Sequence, residues 1–175
     1  MKSRLMLLLG FVVVSHAAFA VQPYAGQQQR EIKSLSSDQV DGLLQGKGMG
    51  MAKAAELNHY PGPKHVLDSS DKLNLSQGQL QKTRFFFDEM KKEAMALGEK
   101  IVIQERRLDH LFASQTIDEK SLADTLNEIA MLRGKLRYVH LKTHLKQKGI
   151  MSAQQIKHYD NVRGYGTGKH HQHHH

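Results

Sequence analysis

The sequence lacks cysteine and tryptophan and contains only three prolines in 175 residues. Without cysteine, the chain has no disulfide, no thiolate zinc site, no thiol redox motif and no thiol nucleophile. Aromatic residues make up only 6% of the chain, which argues against a surface on which nucleic-acid bases stack. After the first twenty residues apolar and polar positions do not alternate, so no β-strand is predicted. The fold must therefore depend on helix packing, with or without a bound metal ion.

The motifs of catalysis are also missing. No nucleophile is paired with a base, no glycine-rich phosphate loop follows a strand, and no two carboxylates are placed for acid–base chemistry. We therefore expect a protein that is not an enzyme and that has no organic cofactor.

The first twenty residues have the pattern of a cleavable export signal. Lys2 and Arg4 precede an apolar run at 5–14, and an Ala-Phe-Ala sequence ends at Ala20, where we predict cleavage. The run is about half the roughly 20 residues that a membrane-spanning helix needs. We therefore expect a periplasmic protein, and loss of the signal lowers its formal net charge from +8 to +6. Such a basic chain favours acidic partners, among which export argues against nucleic acid.

Composition divides the rest of the chain into three parts. Residues 21–34 are polar and rich in glutamine, which predicts a flexible leader. Residues 35–163 carry helical patterns and are long enough for one domain. Residues 164–175 form a glycine-rich linker followed by a histidine-rich tail.

The first part of the domain is predicted to be broken. Residues 34–58 have helical composition but contain four glycines, each of which costs a helix about 1 kcal/mol relative to alanine. An interrupted helix is therefore expected there. The Tyr-Pro-Gly-Pro sequence at 60–63 ends it, and 64–73 is predicted to be a short helix.

The longest helical pattern begins at Ser76. Apolar residues recur every seven positions from Leu80 to Leu108, which is a heptad stripe. Ser76 and Gln79 have the spacing of a capping box, in which each side chain bonds to the other residue's backbone N–H. We predict a helix from this cap to about Ala113.

A second long helix is predicted to reach about Lys148. Thr116 and Glu119 have the capping-box spacing, and an apolar stripe follows from Leu122 to Val139. Because the link between the two helices is short, they must be antiparallel neighbours. The predicted fold is all-α, a long antiparallel hairpin with shorter flanking helices.

Four apolar residues are left over by this hairpin. Leu141 and Leu145 lie on a second face of their helix. Phe85, Phe86 and Phe87 cannot all face the partner helix, because adjacent helical residues point about 100° apart, and Phe87 already lies on the heptad stripe. These side chains need cover from another helix, a second subunit or an unfolded client, and we expect a homodimer.

Three short segments share one capping pattern with an apolar residue in front of it. Two are Leu-Ser-x-x-Gln and the third is Met-Ser-x-x-Gln, and their defining residues are Leu35, Ser36, Gln39, Leu75, Ser76, Gln79, Met151, Ser152 and Gln155. The segments resemble the L-T-x-x-Q signature of Spy/CpxP-type proteins, with serine in place of threonine. The order of signal, Gly-Met-rich segment, Tyr-Pro-Gly-Pro break, hairpin and histidine tail is also similar to periplasmic heavy-metal sensors.

The resemblance covers residues 35–165 and implies a helical hairpin, usually dimeric, in the periplasm. It implies one of two activities, either ATP-independent protection of unfolded envelope proteins or sensing and sequestration of metals. The third segment departs from the signature at its first residue, and the C-terminal half is more basic than an acidic metal site requires. The choice between these two branches of the family is therefore open.

The sharpest metal-binding pattern is His140 with His144. Histidines four apart on a helix project from one face and can share an ion. No glutamate follows the first histidine, so the zinc-protease pattern is missing. Candidates for a third ligand, besides a partner subunit, are His110, Glu128, His59 and His65. The alternative is two solvated histidines among the cations of a basic helix.

The tail contains five histidines, His170, His171, His173, His174 and His175. Such a tract chelates transition metals by composition alone, and neutral imidazole suits Zn, Ni and Cu ions. The rival interpretation is a purification tag, against which the intervening glutamine and the retained export signal argue.

Two weaker metal patterns lie in the first part of the domain. His59 and His65 bracket the Tyr-Pro-Gly-Pro sequence, which would hold them close together or leave them as surface loop residues. Met49 and Met51 offer thioethers that suit Cu(I), although methionine more often fills gaps in a core or a client surface.

Three functional hypotheses follow from the sequence. The first is a metal-binding envelope-stress protein that senses or sequesters heavy metals. The second is an ATP-independent holdase that grips unfolded envelope proteins with apolar patches ringed by cations. The third is a regulatory partner of a membrane sensor protein.

Overall fold

The computed structural model describes residues 22–166. Within this range every regular element is helical, and the all-α prediction is confirmed. A short 3-10 turn at Gln27–Gln29 precedes six helices, which are α1 (Ser37–Leu44), α2 (Lys53–Glu56), α3 (Pro63–Asp68), α4 (Gln77–Ala113), α5 (Glu119–Gly149) and α6 (Ala153–Val162). The predicted export signal and the five tail histidines lie outside the described residues. Among the helices of residues 22–166, none combines the length and apolarity that a membrane span requires.

The antiparallel hairpin of α4 and α5 is the scaffold, as predicted. Its two helices are 37 and 31 residues long. The predicted stripes face each other, and Met90, Ile101, Leu132 and Leu136 are buried between them. Burial of this continuous seam supplies the main stabilisation of two helices that are otherwise polar.

The cap of α5 differs from the prediction. Asp118, and not Thr116, is the N-cap, and its carboxylate accepts a hydrogen bond from the backbone of Ser121 at 2.7 Å. The predicted box of Thr116 with Glu119 is therefore wrong. Aspartate caps a helix as well as threonine does, and the Thr116 hydroxyl is instead 2.8 Å from that of Ser114 in the turn.

Residues 31–52, which we name the arm, run antiparallel to α4 and contain α1. Ile32, Leu35 and Leu43 of the arm are buried in the same core as the hairpin seam. The predicted flexible leader therefore does not extend through its last residues, because Ile32 has apolar cover on α4. Glycines interrupt the helical pattern after α1, as expected.

Residues 53–68, which we name the strap, cross the open end of the hairpin and reach α6. The helix predicted at 64–73 is shorter and ends at Asp68. A second, smaller core joins the strap to α6 and contains Val66, Leu73, Met151 and Tyr159. The arm and the strap together cover one side of the hairpin, so a second subunit is not needed for that side.

Candidate functional site

The three motif serines and glutamines form the predicted capping boxes. In each box the serine hydroxyl accepts a hydrogen bond from the glutamine backbone at 3.2 Å, and the glutamine amide oxygen accepts one from the serine backbone. Leu35 and Met151 in front of two of these caps are buried. The signature therefore starts helices α1, α4 and α6 and anchors each start in a core.

Two of the motif glutamines also bind each other. Gln79 donates to the amide oxygen of Gln155 at 2.9 Å, and Gln155 donates back at 3.1 Å. Each amide has a second acceptor in a backbone carbonyl, Ile150 for Gln79 and Asn74 for Gln155. Because every donor and acceptor of the two amides is used, this reciprocal pair fixes the start of α6 against the start of α4. The motif thus has a structural role at the open end of the hairpin.

His140 lies in the core and not on a solvated face. It is 4% exposed, and its Nε2 atom has no hydrogen-bond partner among the described residues. Burial, together with the nearby His144, lowers the pKa of His140 below its usual value. This imidazole is therefore neutral at pH 7.

His144 is held by the strap. It is 8% exposed, and its Nδ1 atom donates to the carbonyl of Tyr60 at 2.7 Å. The proton is assigned to Nδ1 because a carbonyl only accepts, so the lone pair is on Nε2. The same Nδ1 atom is 3.8 Å from Glu56 Oε2. The Tyr-Pro-Gly-Pro sequence is thus fixed against α5 by a partly buried hydrogen bond.

The predicted third ligands do not join this pair. Within residues 22–166 no three His, Asp or Glu side chains are grouped to hold a metal ion. Glu128 is twelve residues before His140 on α5, which is about 18 Å along the helix axis. His110 is exposed near the far end of α4. The described part of the chain therefore supplies two of the predicted ligands in proximity, and not three.

His59 and His65 do not form one site either. His59 Nδ1 is 2.7 Å from a carboxylate oxygen of Asp160 on α6. His65 faces Asp68 on its own helix, with its Nδ1 atom 3.5 Å from that carboxylate. Each histidine thus has its own acidic neighbour, and the two do not share one.

Met49 and Met51 also differ from each other. Met51 packs against the main core. Met49 has a positive φ of 42° and lays its thioether over Gly42, where an added Cβ would meet Sδ at 2.4 Å. Met49 is 46% exposed, so the contacts support a packing role for Met51, and the Cu(I) alternative for Met49 stays a prediction.

Sequence reasoning missed a buried polar cluster centred on Glu56. The Tyr159 hydroxyl donates to Glu56 Oε1, and Arg163 Nε lies 3.4 Å from the same oxygen. Burial and the Glu56 carboxylate raise the pKa of Tyr159, so this hydroxyl remains a donor at every physiological pH. The cluster links α2 to α6. No spacing rule signals it, because its members are about 100 residues apart in the chain.

Acid should weaken the fold through its buried histidines. Burial lowers the pKa of His140, and burial and Arg163 lower that of His65, in each case below 6.5. A histidine with a depressed folded-state pKa stabilises the fold above the unfolded pKa, and the contribution is lost as pH falls through 6.5 towards the folded value. For His140, which is 4% exposed, we expect the free energy of unfolding, measured with urea, to fall by up to about 1.4 kcal/mol per pH unit. The His65 side chain is 38% exposed, so solvent screening makes its contribution smaller.

The variant His140→Leu tests the larger part of this effect. It removes one titrating group and replaces an unpartnered polar atom by an apolar side chain. Its unfolding free energy should vary less between pH 7 and pH 5 than that of the unaltered protein. An unchanged pH profile would show that His140 is not the source of the acid sensitivity.

The side of the hairpin away from the arm carries exposed aromatic and cationic side chains. Phe85 is 59% exposed and its ring centre is 6.2 Å from that of Phe86. The Lys146 ammonium of α5 lies 5.8 Å from the Phe86 ring, and the neighbouring Leu145 is 60% exposed. Leu141 is partly buried. The unpartnered apolar surface expected from the sequence therefore exists, and it crosses from α4 to α5.

A second group extends this surface along α5. The Lys142 ammonium is 5.8 Å from the ring of Tyr138 and 2.7 Å from Glu93 of α4. Tyr138, Lys142 and Leu145 follow one another at helical spacings of four and three, so they share one side of α5. We name the combined surface the aromatic–lysine face, defined by Phe85, Phe86, Glu93, Tyr138, Lys142, Leu145 and Lys146.

Packing and capping do not explain the exposed side chains of the aromatic–lysine face. No protein-family model, curated protein or solved structure matches this chain, so the function of this face is inferred from its own residues.

Proposed function

We propose that the protein is an ATP-independent holdase of exported proteins, and that the aromatic–lysine face binds unfolded clients. The observation that carries this proposal is the exposure of Phe85 and Leu145, together with the Phe86 ring that lies 5.8 Å from the Lys146 ammonium. The resemblance of its three capping segments to the Spy/CpxP signature and the predicted export signal support an envelope setting.

The chemistry of this face suits clients of undefined sequence. Phe85 and Leu145 offer apolar area, and burial of such area is favourable whatever its source. Lys146 and Lys142 are placed on aromatic rings, where a cation adds about 0.5–1 kcal/mol at an exposed site. Their charge also attracts acidic chains from a distance in a salt-dependent way. Charge thus attracts a client to the face, and apolar contact keeps the client bound.

This proposal reverses the order of the first two sequence-based hypotheses. His140 and His144 each have a packing or hydrogen-bonding role in the structure, whereas Phe85 and Leu145 have no cover among the described residues. A second copy packed on the same face would compete with clients. The predicted homodimer, if it uses this face, must open before a client binds.

The test is suppression of aggregation of a chemically denatured client, followed by light scattering. We expect Phe85→Ala to raise the concentration needed for half-suppression about fivefold, because it removes roughly 1 kcal/mol of apolar contact. Lys146→Glu should reduce suppression at low salt more than at high salt, since exposed charges are screened.

Phe112→Ala is the matched control. Phe112 is 55% exposed at the end of α4, away from the aromatic–lysine face, and its loss should leave suppression unchanged. Helix content and oligomeric state are measured for every variant, so that unfolding and altered assembly are recognised. Equal loss of suppression in both phenylalanine variants would refute a client site on the aromatic–lysine face.

Metal binding by His140 and His144 is the second candidate function. One observation favours it, namely that both Nε2 atoms are free of hydrogen bonds to protein while the Nδ1 atom of His144 is fixed by Tyr60. A hydrogen bond to one ring nitrogen is the usual way in which a metal-ligating histidine is oriented. A tail or a partner subunit would have to complete the coordination of Zn, Ni or Cu.

A Zn²⁺ titration by calorimetry distinguishes this candidate from simple tail chelation. A chain ending at Gly166 should still bind about one ion per subunit or per dimer if the helix pair is a site, and the paired changes His140→Ala and His144→Ala should abolish binding. Equal binding by the altered and unaltered shortened chains would refute the helix site.

A further inference from the structure

The arm occupies an apolar groove on α4 that is separate from the aromatic–lysine face. Gly98 lies under the arm, and Phe85 and Phe86 are about 120–140° away from it around the helix at 100° per residue. Ala94 of α4 lies against Gly46 of the arm, and Met90, Ile101 and Val102 are buried in the core that the arm shares with the hairpin seam. The arm thus fills a groove whose apolar surface is continuous with the seam.

The arm is held by apolar side chains and by polar bonds. Ile32, Leu35 and Leu43 are buried, and Val40 and Met51 are partly buried against the same core. Its polar bonds are at one end, where Lys33 pairs with Asp109 at 2.9 Å, Glu31 pairs with Arg106 at 2.7 Å, and the Ser34 hydroxyl donates to Glu105 at 2.9 Å. Exposed ion pairs contribute about 0–1 kcal/mol each. Because the arm buries fewer apolar residues than the long α4–α5 seam, it opens at a lower free energy than the whole fold.

The other end of the arm can act as a hinge at residues 47–50. Gly46 is still buried against Ala94 of α4, whereas the four residues after it are exposed. Met49 and Gly50 have positive φ values, and the chain from Gln45 to Ala52 contains no regular helix. Contacts of α1 with the remainder of the fold are made predominantly with α4. Movement at this hinge therefore separates α1 from α4 without breaking the hairpin seam or the strap.

We propose that the α4 groove is a second client-binding site, which the arm covers in the resting protein. This inference rests on the proposed holdase function. The occupant it fits is a client segment with the chemistry of the arm, a short amphipathic helix that presents apolar side chains on one face. The arm is the seated example of such a segment.

A client segment must compete with the arm for the α4 groove. The arm is tethered, so its effective concentration at the groove is on the order of millimolar. A client segment occupies the groove only when it is already held nearby, and the aromatic–lysine face on the same hairpin supplies that first contact. Client binding at the exposed face thereby leads to exchange at the covered one.

A disulfide lock on the arm tests the proposal. A Cβ built on Gly46 would lie 3.3 Å from the Cβ of Ala94, close to the range of about 3.5–4.5 Å that disulfides require. In the variant Gly46→Cys with Ala94→Cys these are the only two cysteines of the chain. The oxidised form holds the arm on α4. A cysteine at the positive φ of Gly46 is strained in both redox states, so the reduced form of the same protein is the control.

We expect the oxidised form to need at least twice as much protein as the reduced form to suppress aggregation by half. Equal suppression by the two forms overturns the proposal while leaving the holdase function intact. If the unaltered protein does not suppress aggregation, the proposed holdase function is overturned, and the proposed second client site in the α4 groove is overturned with it.

Hydrogen exchange on the unaltered full chain gives a second readout if the disulfide does not form. Amides of α1 and of the preceding residues from Ile32 should exchange faster when an unfolded client is added, while amides of the hairpin seam should not. Unchanged protection of α1 at saturating client contradicts displacement of the arm.

Discussion

Replacement of Gly98 by alanine is expected to lower the free energy of unfolding by about 1–3 kcal/mol, the usual cost of forcing extra atoms into packed space. The direction is opposite to helix propensity, which favours alanine over glycine by about 1 kcal/mol in a helix interior. A Cβ at Gly98 would lie 2.0 Å from the carbonyl oxygen of Leu43 and 2.6 Å from its carbonyl carbon. These are backbone atoms, so α1 must move as a unit.

Gly134→Ala is the matched control for this prediction. Gly134 lies inside α5, and an added Cβ there meets nothing within 4 Å. Propensity alone then acts, and the variant should be more stable by about 0.5–1 kcal/mol. Urea unfolding monitored by circular dichroism measures both changes. Stabilisation by both alanines would show that the close crossing of the arm over α4 is not present in solution.

The Gly98 variant also reports on where the destabilisation occurs. Since the methyl group displaces the arm and leaves the α4–α5 seam in place, amide protection should be lost first in α1. Loss of protection throughout the hairpin at the same time would mean that the arm and the seam unfold as one cooperative unit.

The hairpin was predictable because its signals are local and repeated. The heptad stripe from Leu80 to Leu108 and the stripe from Leu122 to Val139 each determine a face, and a short link leaves only one way to pair them. The cap of α4 at Ser76 was predictable for the same reason, since a hydroxyl and an amide three residues apart satisfy each other wherever a helix starts.

The surroundings of the histidines were not predictable from spacing. Positions four apart indicate that His140 and His144 project on one side of α5, but they do not indicate what packs there. The strap provides part of that cover, because Tyr60 and Glu56, more than 80 residues earlier in the chain, lie against the His144 imidazole. The spacing of residues on one helix determines the direction in which their side chains project. The exposure of those side chains depends on segments that are distant in the sequence.

Two further features needed tertiary structure. From the sequence, Gly98 only lowers the helix propensity of α4. The structure shows that the backbone of Leu43 crosses close to Gly98, which requires a residue without a side chain. Thr116 and Glu119 had the right spacing for a cap, yet Asp118 between them competes with equal chemistry and is the N-cap. Spacing rules do not rank two adjacent capping residues.

Removal of the Tyr159 hydroxyl is the second change with a large expected effect. Tyr159 is fully buried in the smaller core, where its hydroxyl donates to Glu56 and accepts from the backbone N–H of Gly62 at 3.4 Å. In Tyr159→Phe the ring still fills its space, but the buried carboxylate loses a donor. A buried polar group left without its partner costs about 1–3 kcal/mol.

The effect should be confined to the buried tyrosine. Tyr138→Phe is the matched control, because Tyr138 is 64% exposed and a surface change of this kind stays within about 0.5 kcal/mol. Adding Glu56→Leu to Tyr159→Phe should recover part of the loss, since replacing both partners of a buried hydrogen bond by apolar groups is close to neutral. Thermal or urea unfolding of the three variants gives the values. A double variant that is less stable than Tyr159→Phe alone would mean that Arg163 and His144, and not Tyr159, are the partners that keep the Glu56 carboxylate in the fold.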